Sequence, residues 1–188
     1  MATKIYIDQG HNPERPNAGA EAFGVKEQDI NYEVGVILAD LLRANGSFDV
    51  RLSRPTAESS IGSSNSESLQ MRVSDANAWG ADYYISIHAN TSSLPEVSGS
   101  EAFSYSEPSV AFSLGADILE GLNETTGLRN RGMKTRTNLY VLKRTNMPSV
   151  LVELGFMTNR GDLDLMLSRP DLFAEGIYRG IVAYTGLT

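Results

Sequence analysis

The chain has two histidines, His11 in "IYIDQGHNPE" and His88 in "ADYYISIHAN", and each follows a short run of β-branched and aromatic residues. Such runs read as strands, so both imidazoles are expected at strand ends. Glu153 has the same setting: it follows "SVLV" and precedes Leu154, Gly155 and Phe156. A carboxylate there carries a heavy desolvation penalty unless it is paired, bound to a metal or facing a polar cleft. Two imidazoles and an acid converging on one sheet edge are the donors of a divalent metal site. With nitrogen and oxygen ligands and no thiolate, zinc is the natural choice. A catalytic zinc keeps three protein ligands and one open position. His11 and His88 supply two, and the third is an acid. Glu27 is placed for this because it opens a helix near the loop leaving His11; Asp8 and Glu153 compete with it.

Each of these residues also has a plainer role. A histidine at a strand end can be a polar terminus, and Glu27 can be a helix-start acid favoured by the helix dipole. Glu153 can be half of a structural ion pair with Arg54 or Arg131. No HExxH or other local metal motif decides between the two sets of roles.

The elements that must position these groups alternate along the chain. Residues 4–8 read as a strand, and the Pro-, Gly- and Asn-rich stretch "NPERPNAGAEAFGV" as a loop. A helix starts near Glu27, with Ile30, Val34, Ile37, Leu38, Leu41 and Leu42 on one face and Gly46 as its stop. "FDVRLSR" alternates as a strand, and "PTAESSIGSSNSES" is a polar, low-complexity loop. A short helix over 69–79 leads into a strand at 83–87, and "SGSEAFSYS" reads as another strand. Residues 109–123 are helical, 140–142 and 149–153 are strands, and Pro170 opens a last helix with Phe173, Ile177, Ile181 and Val182 inside. This pattern predicts an α/β fold: one domain, a largely parallel twisted sheet of about six strands, helices on both faces. In such sheets ligands gather beyond the carboxyl ends of the strands, where His11, His88 and Glu153 fall.

Composition narrows the rest. There are no cysteines, which removes disulfides, thiolate metal sites and cysteine nucleophiles. A net charge of −7 argues against nucleic acid as a partner, since phosphate binding needs clustered Lys and Arg. No run approaches the roughly 18 apolar residues of a membrane helix, so no membrane insertion is expected. "MATKIYIDQG" runs into a strand without an export signal. Either the chain works where it is made, or it leaves by another route such as lysis, or a leader has been removed.

Three stretches, "IDQGHN…GVKEQDINYEV", "ADYYISIHAN" and "MPSVLVELGFMTNRGDLDLM", together resemble the zinc-dependent N-acetylmuramoyl-L-alanine amidases of the amidase-3 type. These are cell-wall hydrolases of bacterial autolysins and phage endolysins. The motifs stand in the family's order, from Ile7 to the final helix. The resemblance implies one Zn²⁺ per chain on His11, Glu27 and His88, deciding the third ligand for Glu27. It implies Glu153 as the catalytic acid/base, and hydrolysis of the amide between the lactyl group of N-acetylmuramic acid and L-alanine of the stem peptide. The implied partner is a peptidoglycan muropeptide at the bacterial wall. One departure is Asn12, where the family commonly has Gly; Arg54 and Arg72 match recurrent arginines.

Asn90 and Asn77 are further positions that could orient substrate, with strand-end and helix capping as their plainer roles. Arg131 and Tyr140 are expected to line the peptide end of the groove. Asp8 could accept from a ligating histidine. Two other activities fit the same residues: a non-catalytic muropeptide-binding module, and a zinc carboxypeptidase-like hydrolase of the stem peptide. An acidic catalytic domain gains no general attraction to an anionic wall. A monomeric catalytic domain with a separate wall-binding module elsewhere is therefore expected.

Overall fold

The apolar runs of the sequence become the inner strands of one sheet. The structure, a computed structural model, describes residues 2–187. In chain order the elements are β1 (Thr3–Gln9), β2 (Glu21–Ala22), β3 (Val25–Lys26), α1 (Glu27–Asn45), β4 (Phe48–Leu52), α2 (Asn65–Trp79) and β5 (Tyr83–Asn90). They continue with β6 (Ser100–Ser104), α3 (Val110–Thr126), β7 (Asn130–Thr135), α4 (Tyr140–Arg144), β8 (Ser149–Phe156), α5 (Arg160–Ser168) and α6 (Pro170–Thr185). The main sheet runs β4-β1-β5-β8-β6-β7. Its first four strands are parallel, β6 is antiparallel to β8, and β7 follows β6 in parallel.

Side chains alternate across a strand, and here each face finds its own cover. Ile5, Ile7, Ile85, Ile87, Val150 and Val152 turn to one face, beneath the buried stripes of α1, α3 and α6. Tyr6, Tyr84, Phe103 and Leu151 turn to the other, where Val73 and Ala76 of α2 and Val141 and Leu142 of α4 meet them. The helix stops are chemical as well as periodic: Gly46 and Gly127 adopt the left-handed conformation at the ends of α1 and α3.

The expected α/β architecture and strand number hold, but one strand is misplaced. Residues 140–142 form α4, not a strand. Three apolar residues satisfy a helical turn or a strand equally well, and Val141 and Leu142 are buried in this one. The sixth strand is β7 instead, an edge strand whose sequence "NRGMKT" has no apolar alternation because little of it packs. The polar stretch read as a loop ends inside α2, which begins at Asn65. Ser64 accepts from the Glu67 amide at 3.1 Å and the Glu67 carboxylate returns to the Ser63 amide at 2.7 Å, a variant of the capping box. α5 is capped by Asn159, whose side chain accepts from the Asp162 amide.

β2 and β3 form a small hairpin that feeds directly into Glu27. Its turn residues, Phe23 and Gly24, have φ of 54° and 78°, a two-residue turn that favours Asn-Gly. A bulky residue in that conformation costs about 1–2 kcal/mol. Phe23 is 55% exposed and lies beneath the Arg160 guanidinium, whose carbon is 3.8 Å from the ring centroid. A stack of this kind offsets about 0.5–1 kcal/mol of that cost.

Candidate metal centre and catalytic acid

The carboxyl ends of β1 and β5 and the start of α1 meet at one point. His11 follows β1 in a left-handed conformation (φ 69°), which turns the chain back over the sheet. His88 lies near the end of β5, and Glu27 is the first residue of α1. One donor atom from each of the three falls within 4.8 Å of the others. Glu27 Oε1 is 3.2 Å from His11 Nε2 and 3.0 Å from His88 Nδ1. The imidazoles meet edge to face, with centroids 4.9 Å apart.

Neutral donors hold the glutamate. Its Oε1 accepts from the Ala89 amide at 3.2 Å and the Asn31 side chain at 3.3 Å, and its Oε2 accepts from the Ala20 amide at 3.0 Å. Burial would raise the Glu27 pKa, but hydrogen bonds from the two histidines outweigh it and hold the carboxyl well below its ordinary range. Burial likewise works against protonation of His88, and the bond to Glu27 reverses this, so its pKa is raised. The carboxylate and the two imidazoles together offer three donor atoms to a single cation. His11 Nδ1 is buried with no hydrogen-bond partner among the described residues. These donors fit a divalent metal of the zinc kind.

Two glycines make room for the ligands. A Cβ on Gly10 would overlap the His88 ring, and one on Gly19 would sit 2.8 Å from Glu27 Oε2 and 2.9 Å from His11 Cδ2. Gly10→Ala is therefore expected to destabilise by about 1–3 kcal/mol through overpacking. A denaturant midpoint will measure this, and metal titration will show weaker binding because His88 is what must move.

Glu153 stands beside the cluster, in register with His88 across the β5–β8 ladder. Its Oε2 is buried without a hydrogen-bond partner among the described residues. Burial, with the charges of Glu27 and Glu101 adding to it, raises its pKa to about 7; the charges of His88 and Arg136 act the other way. It makes no ion pair with either arginine considered for it. Arg54 donates to the carbonyls of Gln28 (2.9 Å) and Ala57 (2.6 Å), and Arg131 Nε donates to Glu101 at 3.0 Å.

The remaining expected residues divide. Tyr140 lines a cleft that also holds His11, His88, Leu69, Leu139 and Leu151. Asn90 donates to Glu101 at 3.0 Å and Asn77 ties α2 to the Arg144 carbonyl at 3.1 Å, so neither touches the donor cluster. Asp8 is absent from the cluster as well. Its carboxylate is paired with Arg72 in the interior and accepts from Ser86 at 2.8 Å, so it serves neither as a ligand nor as a partner of a ligating histidine. Arg72 is the residue that sequence reasoning undervalued. It donates to the His11 carbonyl at 2.7 Å and to Asn12 Oδ1 at 3.0 Å, holding the loop that carries a ligand. Its match to a recurrent arginine of the family marked the position but not what it would hold.

A family model described as N-acetylmuramoyl-L-alanine amidase matches residues 5–183. The uncharacterized protein YqiI of Bacillus subtilis (strain 168) is 36% identical over 184 residues, 96% of this chain and 84% of that protein. The N-acetylmuramoyl-L-alanine amidase CwlM of Bacillus licheniformis is 34% identical over 179 residues, 94% of this chain but 65% of that protein. In three dimensions the chain resembles the CwlD amidase of Clostridioides difficile, solved in complex with the GerS lipoprotein. The TM-score is 0.90 at 28% identity, over 99% of this chain and 100% of that one.

Proposed function

This chain belongs to the N-acetylmuramoyl-L-alanine amidase family, and from that premise we propose a zinc-dependent hydrolysis of the amide between the lactyl group of N-acetylmuramic acid and L-alanine of the stem peptide. The observation that carries this reading is the convergence of His11, Glu27 and His88 within 4.8 Å, beside a buried Glu153 with a free oxygen. His11, Glu27 and His88 would hold one Zn²⁺. When bound, the metal supplies Lewis acidity, polarising the carbonyl and lowering the pKa of water to about 7. Glu153 takes a proton from the attacking water and returns it to the departing nitrogen, so the products are a lactyl carboxyl group and a free L-alanine amine. A pKa raised to about 7 suits a group that must accept and release a proton near neutrality. Tyr140 and the apolar wall of Leu69, Leu139 and Leu151 border the cleft over the histidines.

The place of action is the bacterial cell wall, and among the described residues no helix is long and apolar enough to cross a membrane. Purified peptidoglycan and mass analysis of the released fragments test the reading. Intact stem peptides with free L-alanine amines are expected, with cleavage stopped by chelator and restored by zinc. Fragments cut within the stem peptide would instead support a carboxypeptidase-like activity. Binding without release would support a wall-binding module.

A further inference from the structure

Between Thr125 and Val152 the chain has six basic residues, Arg129, Arg131, Lys134, Arg136, Lys143 and Arg144, and no acidic one, although its net charge is −7. Part of this run is β7 and the residue just beyond it. β6 pairs with β8 so that Glu101 lies opposite Glu153 and Phe103 opposite Leu151, and Phe103 pairs with Lys134 of β7. Residues paired in register share a face of the sheet. Glu101, Phe103 and Lys134 therefore stand on the same face as Glu153 and His88.

Two of the cations on this edge already share one carboxylate. Arg131 Nε and Lys134 Nζ both bond Glu101 Oε2, at 3.0 and 2.5 Å. Arg136 differs from them. It is exposed, and among the described residues its side chain makes no ion pair and no hydrogen bond. Its guanidinium lies over the Phe103 ring, 4.8 Å from carbon to centroid. Stacking on a ring fixes the plane of the guanidinium and leaves its N–H edges free, the arrangement that receives a carboxylate in two parallel hydrogen bonds.

Its place in the sheet says which part of a substrate it would meet. The order runs from the metal donors at β1 and β5, through Glu153 on β8, to β6 and β7. Glu153 hands its proton to the leaving amine, so the peptide on that amine extends away from the metal donors and toward β6 and β7.

We propose that Arg136 receives a carboxylate of the stem peptide on the amine side of the cleaved bond, so that the enzyme prefers acidic peptides to their amidated counterparts. This rests on the amidase reading and goes beyond it by naming what selects the peptide. It also moves the peptide contact from Arg131, which Glu101 occupies, to its unpaired neighbour.

The test uses the zinc-loaded protein and two soluble muropeptides that differ only in a carboxylate or a carboxamide on the residue after L-alanine. The parent is expected to show a KM about tenfold lower for the acidic substrate with a similar kcat, the signature of a binding contact. In Arg136→Gln that preference should collapse to near one. Arg136→Lys, which keeps the charge but not the fork, should retain part of it. Lys143→Gln, on the exposed last turn of α4, should retain all of it. Equal KM values for both substrates in the parent, or an undiminished preference in Arg136→Gln, would overturn the proposal while leaving the amidase reading intact. If the parent cuts neither substrate at the lactyl bond, the amidase reading falls and this proposal falls with it.

Discussion

Glu153→Gln is expected to slow amide hydrolysis by about 10²–10⁴-fold, the range supplied by a positioned general acid–base group. The substitution keeps the shape of the side chain and removes its capacity to take a proton. Zinc content should stay at the parent's level, because His11, Glu27 and His88 make the donor cluster without it. A variant as active as the parent on purified peptidoglycan would exclude the role. A second consequence separates catalysis from folding. Burial raises the Glu153 pKa from 4.5 to about 7, so the folded protein holds this proton more tightly than the unfolded chain does. That contribution is fully present below pH 4.5, shrinks between pH 4.5 and about 7, and is gone above. A glutamine carries no such penalty at alkaline pH. The metal-free variant should therefore be more stable than the metal-free parent above pH 7, with the difference narrowing as the pH falls through that window. A catalytic group that is costly to the fold is the usual stability–activity exchange.

The strength of each local signal tracks how far the residues around it are buried. α1, α3 and α6 each bury a continuous stripe, so their apolar spacing is regular and legible. β1, β5 and β8 are nearly buried throughout and read as apolar runs. β7 is an edge strand of exposed and half-buried residues, and α4 is five residues long, so periodicity has little to act on. At the start of α2, Ser64 and Glu67 carry a helix-start signal inside a stretch that polarity alone marks as a loop. The residues that converge at the metal centre stood out for a different reason. Imidazoles are scarce in this chain, and a carboxylate behind a buried strand conflicts with local preference. Their partners did not stand out. Whether Asp8 would face a histidine or Arg72, and whether Arg131 or Arg136 would be unpaired, depends on which strands become neighbours. That pairing is a tertiary fact, and nothing local encodes it.

Arg72→Met is expected to destabilise the protein by about 3–5 kcal/mol, because it removes one partner of a buried ion pair and leaves the other uncompensated. The Arg72 and Asp8 side chains are 1% and 3% exposed. Arg72 also donates to the carbonyls of Gln9 and His11, both at 2.7 Å, and to Ser53 Oγ at 3.1 Å and Asn12 Oδ1 at 3.0 Å. Methionine fills part of the volume and satisfies none of these acceptors. For a domain of this size the loss corresponds to a fall in Tm of about 6–20 °C. Burial alone would raise the Asp8 pKa, but the Arg72 charge and hydrogen bond hold it below its ordinary value of 3.8. The pair therefore stabilises the fold fully above pH 3.8, and that stability is lost as the pH falls through the depressed native value. The gap between variant and parent should be widest near neutrality and should narrow in acid. The bonds to the His11 carbonyl and to Asn12 make a further outcome separable. Arg72 fixes the backbone on both sides of a proposed ligand, and loss of such support weakens metal binding by about 10–100-fold. Zinc titration at a temperature well below the variant's unfolding measures this. Parent-like affinity in a destabilised variant would show that the Asp8–Arg72 pair serves the fold alone, and that His11 keeps its orientation without it.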